Sequence, residues 1–408
     1  MSEKKSRSLP YLSFFQQLND EILQKPGRGV SLFFEDELAF ACAACGQCCE
    51  QPWGIYVSKA YYDSWALSIS QAVQVPVENL FHILPASHPE FAVLKKKQST
   101  QQCVFLAEDK KCLIHRTLGE YAKPGMCSTY PRLSIQDVQG ESLASYQSPS
   151  CYSVARERPQ RLQLCYTWHT HASRSPARFT LSAQKQMDQS AFFLWTGFGL
   201  DVFEQSEPLS TTLSRLLNAL QSLAAENTEF VRGDVLFTPL QKMLLSHERP
   251  TSKPLSLLEY QSLCLALSRL LSPFEAFSDF GQWLQESDPG GLAQALSAPE
   301  HAQMCAYQRN YFAKQILTQE YVRGAYINIL QQLYLWCKLA FLQTTLSLFI
   351  RETGVHSREY MGKATNLLHA LVIQSPSNLK QWQLHRWPDP MCYLNLYRLI
   401  RGLQILGF

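Results

Sequence analysis

The chain has 408 residues, of which 46% are hydrophobic, 17% charged and 12% aromatic, with a net charge of +3. That length can bury a large core and suits two domains better than one. The composition is that of a soluble globular chain, and the small net charge gives no electrostatic footprint for nucleic acid.

The start, residues 1–7, is polar and reads as frayed, and no apolar signal-peptide core follows it. Residues 11–23 carry apolar side chains at helical spacing up to Pro26-Gly27. Ser31 to Phe34 and Leu38 to Phe40 read as short extended or irregular text leading into Cys42-Ala43-Ala44-Cys45-Gly46-Gln47-Cys48-Cys49. Four thiols in eight residues have little use in an ordinary core and make sense if thiolates converge on a metal ion or iron–sulfur cluster. The C-x-x-C step turns two sulfurs toward one centre, and Gly46 supplies the backbone freedom such a turn needs. Ile55 to Val57 reads as a strand, and Ser58 as the N-cap of a helix to about Ala72. Pro85 to Gln102 reads as loop, with Lys95-Lys96-Lys97 a solvated basic patch.

Cys103 to Leu106 and Cys112 to Arg116 flank the turn-like Glu108-Asp109-Lys110-Lys111, which predicts a hairpin bringing Cys103 near Cys112. Pro124-Gly125 turns the chain into Cys127-Ser128-Thr129-Tyr130-Pro131-Arg132. Leu133 to Val138 and Glu141 to Tyr146 read as a second hairpin, followed by Cys151. Cys165 lies near Trp168, His169 and His171. From about Phe179 the text is helical, with segments at 182–198, 210–225, 236–246, 256–271, 273–286, 291–297, two within 299–350, then 358–374 and 391–406. Ile329 to Ile350 is the most apolar stretch, but its glutamines and Lys338 make it a core helix and not a membrane span. The fold class is therefore α+β: an irregular cysteine-rich metal-binding domain over residues 1–175, then a mostly all-α domain over 176–408.

Eight of the thirteen cysteines are candidate ligands: Cys42, Cys45, Cys48, Cys49, Cys103, Cys112, Cys127 and Cys151. Without a secretory signal, a cytoplasmic and reducing compartment is expected, where clustered cysteines favour metal over disulfides. Adjacent Cys48 and Cys49 do not easily turn the same way, so if both ligate they serve different centres, or one only supports the site. Eight thiols suit two four-coordinate centres, or one centre with thiols to spare, and spacing does not separate zinc from iron. The spacing is not the C-x-x-x-C-x-x-C step of radical S-adenosylmethionine enzymes. His115, His169 and His171 are substitutes for a thiolate or plain surface histidines. Arg116 and Arg132 either balance thiolate charge or pair with carboxylates. Cys264, Cys305, Cys337 and Cys392 read as core residues.

Cys42-x-x-Cys45-x-x-Cys48-Cys49, Cys103-x-Phe105-Leu106, Cys112-x-Ile114-His115 and Cys127-x-x-Tyr130-Pro131-Arg132 resemble the YkgJ-type CxxCxxCC cysteine-cluster family, a zinc- or iron-chelating domain. Tyr130-Pro131 replaces that family's usual Phe-Pro. The later Glu141 to Cys151 segment and the helical half with Tyr307-Gln308-Arg309-Asn310-Tyr311-Phe312 are similar in layout to the flagellin lysine-N-methylase family. Cys151-Tyr152 departs from its Cys-Pro. That resemblance implies methyl transfer from S-adenosyl-L-methionine to lysines of flagellin, a protein of the bacterial flagellum, with a 4Fe–4S iron–sulfur cluster in the enzyme.

The residues themselves give methyl transfer thin support. No G-x-G-x-x-G follows a strand, and Gly197-Phe198-Gly199 reads as a helix end. Tyr307 and Tyr311 share a helix face near Asn310, either lining a lysine channel or packing a core. The catalytic and donor-binding residues are unassigned. The alternative function is a zinc- or iron-binding cysteine-cluster protein without enzymatic activity, or a redox sensor, whose helical half binds a protein partner.

Overall fold

The computed structural model describes residues 5–6, 10–25, 28–34, 46–50, 54–98, 102–133, 146–147, 163–169, 178–182, 185–205, 207–225, 228–245, 255–271, 277–288, 291, 296–318, 328–353, 360–368 and 398–406. Their fold is α+β and mostly helical, built around two apolar cores.

The larger core begins with β1 (Lys5–Ser6), α1 (Tyr11–Gln24) and β2 (Gly29–Phe34). It resumes with β8 (Leu164–His169), which pairs antiparallel with both β1 and β2. Next come β9 (Arg178–Ser182), β10 (Lys185–Asp188), α6 (Gln189–Glu204), α7 (Leu209–Ala225), β11 (Phe230–Val231) and α8 (Gly233–Leu245). β9 runs antiparallel and β11 parallel to β10. The remaining helices are α9 (Leu257–Leu271), α10 (Ser278–Glu286), α11 (Ala298–Thr318), α12 (Ile329–Glu352), α13 (Tyr360–Leu368) and α14 (residues 398–405).

α6 is buried continuously from Ala191 to Phe203, as expected of a helix apolar on every face. Asp188 caps it through Ala191 N–H at 2.7 Å and also accepts from Gly233 N–H, tying the starts of α6 and α8 together. α1 lies across α6 at Gly197, where a Cβ would stand 2.8 Å from the Tyr11 carbonyl oxygen. The Asp201 carboxylate accepts from the Tyr11 and Leu12 N–H groups at 2.8 and 2.7 Å. Two free N–H groups at the start of α1 are thus satisfied by an anion where the helix dipole favours one.

α12 is long and apolar enough to cross a membrane, yet it is buried within the protein. It starts at a capping box of Asn328 and Gln331. Its Gln343 and Thr344 bond to Thr365 of α13 and Gln308 of α11, at 2.5 and 2.8 Å. Such polar pairing suits a protein core, which the sequence leads one to expect.

The smaller core lies in the cysteine-bearing part. Its sheet, β3 (Tyr56–Val57), β5 (Ala92–Leu94) and β4 (Phe81–Ile83), has β5 in the centre. α2 (Lys59–Val73), capped by Ser58 through Tyr61 N–H, packs with it, along with α3 (Val77–Leu80), α4 (Leu113–Leu118) and α5 (Gly125–Thr129). β6 (Arg132–Leu133) pairs with β7 (Tyr146–Gln147), consistent with the second hairpin, whose tip at 134–145 lies outside the described residues. α13 packs both on α12 and on the turn at Gln47–Cys49, linking the two parts.

Four local expectations are corrected. The central strand β5 lies inside the presumed loop of 85–102, and its buried Ala92 and Leu94 alternate with Val93. Residues 178–182 and 185–188 form two strands, so the helix expected from 182 starts at 189. Gly197 and Gly199 lie mid-helix and not at a helix end; they admit α1 and Ile316 at close range. The residues after Cys112 form α4, because the hairpin closes at Leu106–Cys112.

Candidate metal centre

Gly46 opens the turn with φ +73°, and its hydrogen faces Leu106 and Lys110, where a Cβ would stand 3.1–3.2 Å from their side chains. That left-handed backbone and tight space both favour glycine. A 3-10 turn follows over Gln47–Cys49, with Cys49 N–H donating to Gly46 carbonyl at 2.9 Å. The turn is fastened next to Cys103, whose N–H donates to the Cys49 carbonyl at 2.7 Å. Phe105 and Leu106 are buried, and Leu113 N–H donates to the Phe105 carbonyl at 2.9 Å. The hairpin thereby sets Cys112 directly before α4. Pro124 opens α5, which carries Cys127.

Five predicted ligands, Cys48, Cys49, Cys103, Cys112 and Cys127, are described as free thiols, and the last four belong to or pack against the smaller core. Cys42, Cys45 and Cys151 lie outside the described residues. The Cys48 and Cys49 sulfurs are 3.9 Å apart. Adjacent thiols were expected to diverge, but the tight turn brings them to one side. Two sulfurs bound 2.3 Å from one tetrahedral ion stand about 3.8 Å apart, so this spacing fits a shared centre. Among the described residues, no three of the Cys, His, Asp and Glu side chains reach metal-binding distance of one point.

The thiols nonetheless feel one another's charge. The first proton leaves the Cys48–Cys49 pair easily, at about 7 when assigned to Cys48, because the neighbouring thiol donates to the thiolate. Loss of the second is opposed by that same hydrogen bond, by burial and by charge on Cys48, Cys103 and Cys112. Burial raises Cys103, and burial with charge on Cys103, Cys112 and Cys48 pushes Cys127 up to about 12. Cationic metal reverses these penalties, since it binds the thiolate form.

Other candidates lie apart. His115 is exposed, its Nε2 3.4 Å from Glu120, and Arg116 pairs with Asp109 at 3.4 Å. Arg132 and His169 are described only in backbone, and His171 lies outside the described residues. Cys165 is buried in β8, between β1 and β2. Cys264 and Cys337 are core residues as expected, whereas Cys305 is half-buried beside His301; Cys392 is not described.

Two groups by the thiols escaped the sequence reading. Tyr61 donates to the Ala122 carbonyl at 2.6 Å, and its phenol is raised by burial and then by charge on Cys127 and Cys112. Lys95, Lys96 and Lys97 are half-buried and not a solvated patch, with Lys97 donating to the Leu106 carbonyl at 2.6 Å. The aromatic stripe on α11 is core: Tyr311 is buried, and Tyr307 donates to Thr365 at 3.1 Å. Beside it, Tyr311, Leu339, Gln343, Thr365 and Leu368 line a crevice too narrow to admit water.

Residues 41–151 match the CxxCxxCC family, described as "Putative zinc- or iron-chelating domain". The chain is 26% identical over 95 residues to a lysine-N-methylase of Salmonella choleraesuis (strain SC-B67), and 25% over the same length to one of Salmonella typhimurium (strain LT2). It is also 25% identical over 95 residues to the flagellar biosynthetic protein FliU of Salmonella muenchen. Each match takes in 23% of this chain; it spans 24% of either methylase and 56% of the FliU protein. No solved structure matches the chain.

Proposed function

We propose that this chain is a protein lysine methylase whose cysteine centre holds a metal or iron–sulfur group. The observation that carries the metal-binding part is the approach of the Cys48 and Cys49 sulfurs to 3.9 Å on a turn whose Cys49 carbonyl is bonded by the N–H of buried Cys103. Cys42, Cys45, Cys48, Cys49, Cys103, Cys112, Cys127 and Cys151 are the proposed donors, either to a 4Fe–4S cluster or to zinc. Such a centre supplies binding energy that is also folding energy. The methylase part is supported by the names of the two similar methylases. On this reading S-adenosyl-L-methionine is the methyl donor, a flagellin-like protein the substrate and the cytoplasm the compartment. The nine described cysteines are all free thiols, which suits a reducing compartment. Transfer needs a neutral lysine amine in line with the methyl group.

A second reading, metal binding without catalysis, is favoured by the packing of the α11 aromatic stripe. Tyr307 and Tyr311 are packed, and the crevice beside Tyr311 is too narrow to admit water, whereas ordinary ligand pockets run to hundreds of Å³. Anaerobic purification with metal and sulfide analysis, followed by labelled methyl transfer to flagellin, separates the two. The methylase reading expects brown protein and incorporated label. Metal-loaded protein that incorporates none rejects it in favour of the second reading, and protein that binds neither zinc nor iron rejects both.

A further inference from the structure

We infer that Lys96 is the counter-cation of the thiolate centre, a positioning residue held on the sulfur side by its backbone bridge to Cys103. The inference rests on the thiols holding a metal. Thiolates gathered on a divalent ion leave net negative charge, which a buried site must balance locally.

Lys96 and Cys103 form an antiparallel β-bridge, framed by Val104 N–H to the Lys95 carbonyl at 3.2 Å and Lys97 N–H to the Gln102 carbonyl at 2.8 Å. Residues directly opposite in such a pair extend to the same face. Cys103 is buried there and is fastened to Cys49, so Lys96 faces the centre from the bridged strand. Its ammonium lies within electrostatic reach of Cys103, Cys49, Cys127 and Cys48.

Three further cations of this region are paired with carboxylates. Lys123 is 2.9 Å from Glu120, Lys110 is 2.5 Å from Glu50 and Arg116 pairs with Asp109. Each carboxylate offsets the field of its cation. Lys123 still acts on Cys48 and Cys127, so it is the natural comparison.

The test compares Lys96→Gln, Lys96→Met, Lys96→Arg and Lys123→Gln in the full chain. Retention of zinc or iron against a competing chelator is measured, with circular dichroism as the folding check. Lys96→Gln and Lys96→Met are expected to hold metal about tenfold more weakly than the native chain, the low end of the range for groups that support metal ligands. Lys96→Arg keeps the charge and is expected to stay within about threefold of native, as is Lys123→Gln. If the neutral variants fail to fold, a folded, metal-retaining Lys96→Arg supports the inference. Arginine as damaging as glutamine, or neutral variants that bind like the native chain, would overturn it. A native chain that binds no metal defeats the underlying reading instead.

Discussion

At the scale of single residues, the position of a cysteine in the fold decides its role. Cys49 is the hub, its carbonyl holding Cys103 and its sulfur standing 3.9 Å from that of Cys48. Cys165 sits on another sheet. Cys49→Ser is expected to lose most of the bound metal and the protease resistance of residues 46–133. Cys165→Ser is expected to keep its metal and lose only about 1–3 kcal/mol of stability from a buried hydroxyl. Metal content and urea midpoints of the two variants check this contrast; equal metal loss in both would refute it. Thiol spacing made the likeness to a zinc- or iron-chelating domain legible, because few other patterns put four cysteines in eight residues. Lys96 was illegible: three consecutive lysines look solvated until a non-local bridge fixes which face one of them occupies.

At the scale of elements, close approach outweighs helix propensity at Gly197. Alanine in place of glycine favours a helix by about 1 kcal/mol. Here its methyl group would meet the Tyr11 carbonyl and Leu12 Cα at 2.8 and 2.9 Å, both backbone atoms that cannot swing away. Overpacking of this kind costs about 1–3 kcal/mol, so Gly197→Ala is expected to lower the urea midpoint despite its propensity gain. A raised midpoint would mean that α1 does not rest on α6 at this point. Most helices were legible from apolar periodicity and caps such as Ser58. β9 and β10 were not, because the apolar run 191–203 masks the strands before it, and only the Asp188 cap marks where the helix begins. Short β5 hid in polar, lysine-rich text, where its alternation covers just three residues.

For the whole molecule, buried thiols set an alkaline limit. Burial raises Cys264 from 9.0 to about 11, and raises Cys337 still further. Each thiol stays neutral in the folded chain at pH values where the unfolded chain ionises. Their contribution is therefore complete below pH 9 and falls as pH rises through the folded value. The slope is about 1.4 kcal/mol per pH unit for each thiol. Thermal unfolding should show a falling midpoint from pH 9 to 11, flatter in Cys264→Ala. Identical slopes in the two proteins would exclude Cys264 as a source. The α+β class was legible at this scale, but the sharing of the larger core was not. Apolar residues of α1, Leu32 and Phe34 of β2, and Leu164 and Tyr166 of β8 join α6 across a long gap in sequence, a contact that no local pattern announces.

That gap has a consequence in chain topology. The register of β2 against β8 places Phe34 directly opposite Leu164, so the chain leaves and re-enters this sheet at neighbouring points. The cysteine-bearing stretch is thus spliced between two rungs of a ladder. A compact excursion with its ends together adds little closure cost to the pairing, whereas a slack one must be gathered in each time the ladder forms. Whatever tightens the excursion therefore favours zipping of β2 to β8, and trimming it to a short connecting turn leaves a simple hairpin on which the host fold can still close.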